Sequence, residues 1–187
     1  MLSEQKKKAE EKMSKGIDAL KKELATLRTG RASLGMLDGI LVDYYGTPTP
    51  LSQLANMAVP DPRQITIQPW ETKMLGEIEK AILKSDIGLT PGNDGKTIRL
   101  SIPPLTEERR HQIVKQAKKF GEDARVAIRN IRRDVNDDIK KKSKDKDAHV
   151  SEDEVKKLQD EIQKTTDNYI KKIDELLAHK EKEILTV

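Results

Sequence analysis

All eight prolines of this 187-residue chain fall between Pro48 and Pro104, and the segments on either side contain none. Proline removes a backbone donor and fixes φ, so the interior of a long helix excludes it. The flanks are therefore open to continuous helix, and the stretch between them is not. Two architectures follow: charge-rich helices, and an insert of strands and turns. Only 35% of the chain is hydrophobic and 3% aromatic, while 36% is charged, so the helices must hold together through narrow apolar seams rather than one broad core. No run approaches the roughly 20 apolar residues that span a bilayer. The polar start, Met1 to Lys8, lacks the apolar centre of a signal peptide. With no cysteine, disulfide scaffolds and thiolate metal sites are ruled out, which fits a reducing compartment.

Three segments carry the helical period. From about Leu2 to Arg28, Met13, Ile17, Leu20, Leu24 and Leu27 alternate steps of four and three, a heptad seam. The second segment follows Ile102-Pro103-Pro104-Leu105. Thr106 is its expected cap, Glu107 and Glu108 suit the positive end of the helix dipole, and the seam runs from Ile113 through Ala117, Phe120, Ala124, Ile128, Ile131 and Val135 to Ile139. In the third, Ser151 and Glu154 form a capping box, and Val150 and Val155 are placed as a hydrophobic staple. Its stripe continues through Leu158, Ile162, Tyr169, Ile173, Leu176 and Ile184. Three such helices satisfy one another in a long antiparallel bundle, with the lysine-rich Lys140 to Asp147 as the turn between the second and third. The competing arrangement is an extended two-stranded or oligomeric coiled coil.

Between the helices the period changes to two. Ile40, Val42 and Tyr44 alternate with Leu41, Asp43 and Tyr45; Ile65-Thr66-Ile67 and Ile98, Leu100, Ile102 repeat the pattern. Turn chemistry separates them at Gly46-Thr47-Pro48 and Asn93-Asp94-Gly95, and Met74, Leu75, Ile78, Ala81 and Ile82 mark one amphipathic helix. The expected fold is α+β: a three-helix bundle from residues 1–30 and 105–187, with a small β/α/β domain inserted at 31–104. Because the first two helices pack together, the ends of the insert are neighbours. Two adjacent crossing strands, Thr29-Gly30-Arg31 and the stretch 102–105 with Pro103, Pro104 and Leu105, make a hinge.

Catalytic chemistry is hard to find. His111, His149 and His179 are scattered, none with a second histidine at metal-sharing spacing, so no metal or other cofactor is expected. Gly95-Lys96-Thr97 resembles the tail of a phosphate loop, but position 90 is Thr90 where the first glycine belongs, and a strand follows instead of a helix. The carboxylates read as exposed helix positions. An enzyme is not expected.

Charge is a better signal. Residues 106–147 hold 14 basic and 9 acidic side chains, while residues 148–187 hold 7 and 10. On a helical wheel centred on Ile128, Lys115, Lys118, Arg125, Arg129, Arg132, Arg133 and Lys140 share one flank; Asp123, Asp134, Asp137 and Asp138 lie on the other. Arginine suits planar, bidentate contact with phosphate. No aromatic interleaves with these arginines, so backbone contact with folded RNA or duplex is favoured over base stacking. The bland counterpart is a solvated face, or ion pairs to the acidic third helix.

Several blocks resemble the ribosome recycling factor family. They are Leu27-Arg28-Thr29-Gly30-Arg31-Ala32-Ser33, Val42-Asp43-Tyr44-Tyr45-Gly46-Thr47-Pro48, Val59-Pro60-Asp61-Pro62-Arg63 and Ser85-Asp86-Ile87-Gly88-Leu89. Asn93-Asp94-Gly95, Ile102 through Arg110, and Arg129-Asn130-Ile131-Arg132-Arg133-Asp134 belong to the same set, in order over essentially the whole chain. The resemblance implies an L-shaped, non-enzymatic translation factor of the bacterial cytosol and organelles, here expected to be cytoplasmic. With elongation factor G and that partner's GTP hydrolysis, the family splits post-termination ribosomes into subunits. It further implies a bundle lying on large-subunit ribosomal RNA, with contacts at the positions of Arg110, Arg129, Arg132 and Arg133. The wheel adds Lys118 and Arg125 to the expected set. The small domain is implied to move about the hinge and engage the partner factor. A monomer without membrane association is expected; a coiled-coil adaptor or chaperone-like protein is the alternative.

Overall fold

The computed structural model describes residues 2–144 and 150–186. In chain order the elements are α1 (Leu2–Ala25), β1 (Leu41–Tyr44), β2 (Thr47–Pro50), α2 (Leu51–Leu54), β3 (Ala55–Asp61), β4 (Gln64–Pro69), α3 (Leu75–Lys84), β5 (Pro91–Asn93), β6 (Ile98–Ser101), α4 (Glu107–Ser143) and α5 (Glu152–Leu185). Short 3-10 turns at Leu34–Leu37 and Thr72–Met74 complete the set. The chain divides into two compact units, Met1–Arg28 with Glu107–Thr186, and Thr29–Thr106.

In the first unit α1, α4 and α5 each pack against the other two. Side-chain pairs fix the directions. Lys6 reaches Glu161 at 3.2 Å and the Tyr169 hydroxyl donates to the Glu10 carbonyl at 3.3 Å, so α1 and α5 run parallel. Arg125 meets Asp174 and Arg132 meets Gln163, so α4 and α5 run antiparallel. The heptad seams are the buried faces: Met13, Leu20, Ile128, Ile139, Ile162 and Ile173 are essentially inaccessible to water. Gly121 is also buried, and a Cβ there would lie within 3 Å of Leu177 Cγ and Cδ2. This glycine lets α4 and α5 approach closely, at a propensity cost of about 1 kcal/mol relative to alanine.

At the start of α5, the Ser151 side chain accepts from the Glu154 N–H and the Glu154 carboxylate accepts from the Ser151 N–H. Those bonds hold the Glu154 carboxyl below its ordinary pKa. The lysine-rich break is shorter than expected, because Lys140, Lys141 and Lys142 belong to the last turn of α4, where cations favour the helix dipole. Residues 145–149, including His149, lie outside the described residues.

The second unit has its own core. A four-stranded antiparallel sheet of order β3-β4-β6-β5 and a separate β1–β2 hairpin enclose, with α3, sixteen buried apolar residues, among them Val42, Ile65, Ile67, Ile78, Ile98 and Leu100. The alternating strands anticipated at β1, β4 and β6 are present, as is α3. The prolines hid the rest. Thr47 and Pro48, read as turn residues, lie in β2, where Pro48 pairs with Asp43 and Pro50 with Leu41. Two residues apart, the prolines share one side of the strand, so their missing donors fall on its outer edge. Pro60 and Pro91 lie in the edge strands β3 and β5, and the register shifts between Ala58 and Asp61. The β1–β2 turn is Tyr45-Gly46, with φ of 50° and 87°.

Candidate nucleic-acid interface

The seam of α4 sets where its charges go. Ile113, Ala117, Ile128, Val135 and Ile139 are buried against the other helices, and Ala124 and Ile131 are half-buried. The remaining azimuth is exposed to half-buried. On the acidic flank, Asp123, Asp134 and Asp137 are exposed and Asp138 is half-buried.

The basic flank is graded. Arg125 is held most firmly: its Nε and Nη2 donate to Asp174 Oδ1 at 3.1 and 2.5 Å, and its Nη1 donates to Glu122 at 3.1 Å. The hydrogen bonds it donates to Asp174 raise its pKa further, against a smaller opposing effect of burial. Its side chain keeps only 23% of its exposure, so it clamps α4 to α5. Arg129 pairs with Glu122 at 3.6 Å and Lys118 with Glu181 at 3.7 Å, both long contacts with the cations exposed. Exposed ion pairs of this kind contribute roughly 0–1 kcal/mol and leave the cation open to a stronger anion.

Arg132 differs in kind. Its Nη1 donates to the neutral Gln163 amide oxygen at 2.8 Å, while the Gln163 amide nitrogen donates to Asp167 at 2.8 Å. Gln163 thus orients the guanidinium without cancelling its charge. Arg133 is exposed and its side chain has no ion pair or hydrogen bond among the described residues; the same holds for the side chains of Lys115 and Lys140. Arg110 is half-buried near the start of α4 and has an intramolecular partner.

Both readings of the flank are therefore present at different positions. Ion pairing to the acidic α5 accounts for Arg125 and, weakly, for Lys118. Among the described residues, Arg132 and Arg133, with Lys115 and Lys140, have no carboxylate partner, and Arg129 is only loosely paired with Glu122. Wheel geometry placed Arg125 on the stripe but could not register it against Asp174, 49 residues later.

The connecting residues sit where the two units divide. Thr29, Gly30 and Arg31 follow α1, with Gly30 at φ 77°; Pro103, Pro104 and Leu105 precede α4. Among the described residues no group of three or more His, Asp and Glu is arranged to hold a metal ion, and no helix is long and apolar enough to cross a membrane.

Comparison with known proteins decides the family. The model of the family described as ribosome recycling factor matches residues 20–185. The chain belongs to the ribosome recycling factor family. A ribosome-recycling factor from Trichlorobacter lovleyi is 60% identical over 175 residues, covering 94% of each chain. One from Brevibacillus brevis is 58% identical over 178 residues, covering 95% of each. Among solved structures, a solution structure of the ribosome recycling factor aligns with a TM-score of 0.75 at 42% identity, covering 100% of this chain and 98% of that one. A second, at TM-score 0.63 and 46% identity over 99% of each chain, is the Thermus thermophilus factor in models with Escherichia coli elongation factor G bound to the post-termination complex. Family membership makes the chain a translation factor acting in ribosome recycling rather than an enzyme, and gives no support to the adaptor alternative.

Proposed function

We propose that this protein, in the cytoplasm, joins elongation factor G on the post-termination ribosome and splits it into subunits as that partner hydrolyses GTP. The bundle lies on large-subunit ribosomal RNA through the basic flank of α4. Arg129, Arg132 and Arg133 face phosphates directly, Arg110 and Lys118 extend the contact along the helix, and Arg125 keeps the flank in register with α5. The small unit moves about a hinge formed by Thr29, Gly30 and Arg31 on one strand and Pro103, Pro104 and Leu105 on the other.

The observation that carries the reading is Arg132: a guanidinium oriented by a neutral amide beside Arg133, whose side chain has no partner among the described residues, on the same flank where Arg125 is locked to a carboxylate. A solvated face has no need to orient one cation while leaving its charge uncompensated. Support for the hinge is the left-handed Gly30 at the boundary between the units.

The chain has no cysteine, so Thr29→Cys with Pro104→Cys admits a selective bis-maleimide cross-link. In a light-scattering assay of subunit splitting with elongation factor G and GTP, the cross-linked protein should bind ribosomes yet fail to split them. Splitting at the normal rate would remove interdomain motion from the mechanism. Loss of splitting in Arg132→Ala, with unchanged helicity, tests the anchor separately.

A further inference from the structure

Five aromatic residues occur in the whole chain, and three of them gather at one place on the small unit. Tyr44 and Tyr45 meet edge to face with centroids 4.8 Å apart. Tyr44 and Trp70 line a small pocket of about 90 Å³ with Gln53, Leu54, Glu71 and Met74. Two of the three aromatics are offered to solvent, Trp70 at 71% and Tyr45 at 72% of full exposure. Tyr45 also occupies the first central position of the hairpin turn at φ 50°, a conformation that favours Asn, Asp or Gly. A bulky side chain held there, in water, against local preference points to use of the side chain itself.

Glu71 gives the patch its chemistry. Its Oε1 accepts from the Tyr44 hydroxyl at 2.7 Å and its Oε2 from the Tyr45 hydroxyl at 3.1 Å. The hydrogen bonds to Glu71 raise both phenol pKa values, so the rings stay neutral with their faces electron-rich. Two neutral donors fix the carboxylate in place but leave its charge, and each oxygen retains a lone pair. Neighbouring Lys73 makes no ion pair with it among the described residues. A role in tying the hairpin to the start of α3 accounts for the two hydrogen bonds. It does not account for an exposed indole or for a tyrosine at that turn position.

We propose that the pocket between Tyr44, Trp70 and Glu71 receives the guanidinium of an arginine presented by a protein partner. The ion stacks on the aromatic faces and donates to the free lone pairs of Glu71. The space holds about three waters, the scale of one planar guanidinium. Nucleic acid is disfavoured because the pinned carboxylate repels phosphodiesters. The inference rests on the reading that the small unit is the part that meets a protein, and it is independent of the α4 flank.

Trp70 is the sole tryptophan, so fluorotryptophan incorporation gives one fluorine NMR signal at the pocket. The full chain is titrated with the capped tripeptide Gly-Arg-Gly, with its neutral isostere carrying citrulline, and with a short single-stranded RNA. The arginine peptide should shift the signal saturably and the citrulline peptide should not, while Glu71→Gln weakens arginine binding roughly tenfold. A response to RNA without one to arginine, an equal response to citrulline, or unchanged arginine affinity in Glu71→Gln overturns the assignment. No ribosome is present in this titration, so its failure is distinguishable from failure of the recycling reading, which the splitting assay tests.

Discussion

The two units of this protein solve the burial problem in opposite ways. The small unit encloses sixteen apolar residues in one core, so each buried side chain is surrounded on several sides. Among the described residues of the bundle, burial instead follows the length of the helices. Its apolar residues form seams, such as the cluster of Ala9, Val135, Ile139, Leu158 and Ile162, and most of each helix remains in water. An enclosed core gives stability in little chain. A seam leaves long continuous faces on which charge can be arranged, and the basic flank of α4 is such a face. Stability and binding are therefore carried by different residues in the bundle to an extent the small unit does not allow.

The difference is sharpest in the response to truncation. Ile67→Ala removes a fully buried side chain from the small core and should cost about 2–5 kcal/mol, melting that unit first. Hydrogen exchange should show protection lost across β4 and β6 while the centres of α4 and α5 stay protected. Simultaneous loss in both units would mean that they unfold as one. Within the bundle, Gly121→Val drives a branched side chain into Leu177 and should destabilise by about 1–3 kcal/mol in thermal or urea unfolding. Unchanged stability would show that the α4–α5 approach is loose at that level.

Arg125→Ala is a smaller perturbation. It removes a partly exposed clamp to Asp174 and should lower stability by up to about 1 kcal/mol. Its effect on ribosome affinity should be less than that of Arg132→Ala. The smallest effect concerns the α5 cap. Glu154 has a lowered pKa in the folded state, so its contribution is complete above its unfolded pKa and is lost as pH falls through the folded value. Amides at the start of α5 should exchange faster as pH drops through that acidic window, after correction for intrinsic rates. The effect should be absent in Glu154→Gln.

The same contrast explains what the sequence revealed. Heptad seams recur over many turns, so one misleading residue changes little; α1, α4 and α5 were legible, and the Ser151–Glu154 cap fixed the start of α5. In the small unit, β2 spans four residues and includes Pro48 and Pro50, which locally signal a turn. Only their shared outer edge makes them compatible with pairing, and an edge is a tertiary property. The basic flank was legible as a wheel, because azimuth follows from spacing. The state of each arginine was not: Arg125 and Arg132 lie two turns apart on one flank, yet one meets the carboxylate of Asp174 and the other the amide of Gln163. That distinction depends on the register of α4 against α5, which neither helix encodes alone.

The central claim is that uncompensated guanidinium groups on α4 anchor the protein on RNA phosphates. Its most direct test is the affinity for isolated large ribosomal subunits across a salt titration from about 50 to about 200 mM, for the parent, Arg132→Ala, Arg133→Ala and Arg125→Ala. Arg132→Ala and Arg133→Ala should each weaken binding and reduce the slope of log affinity against log salt by about one, with Arg125→Ala nearer the parent. Slopes that do not change in either variant, or a loss confined to Arg125→Ala, would contradict the account.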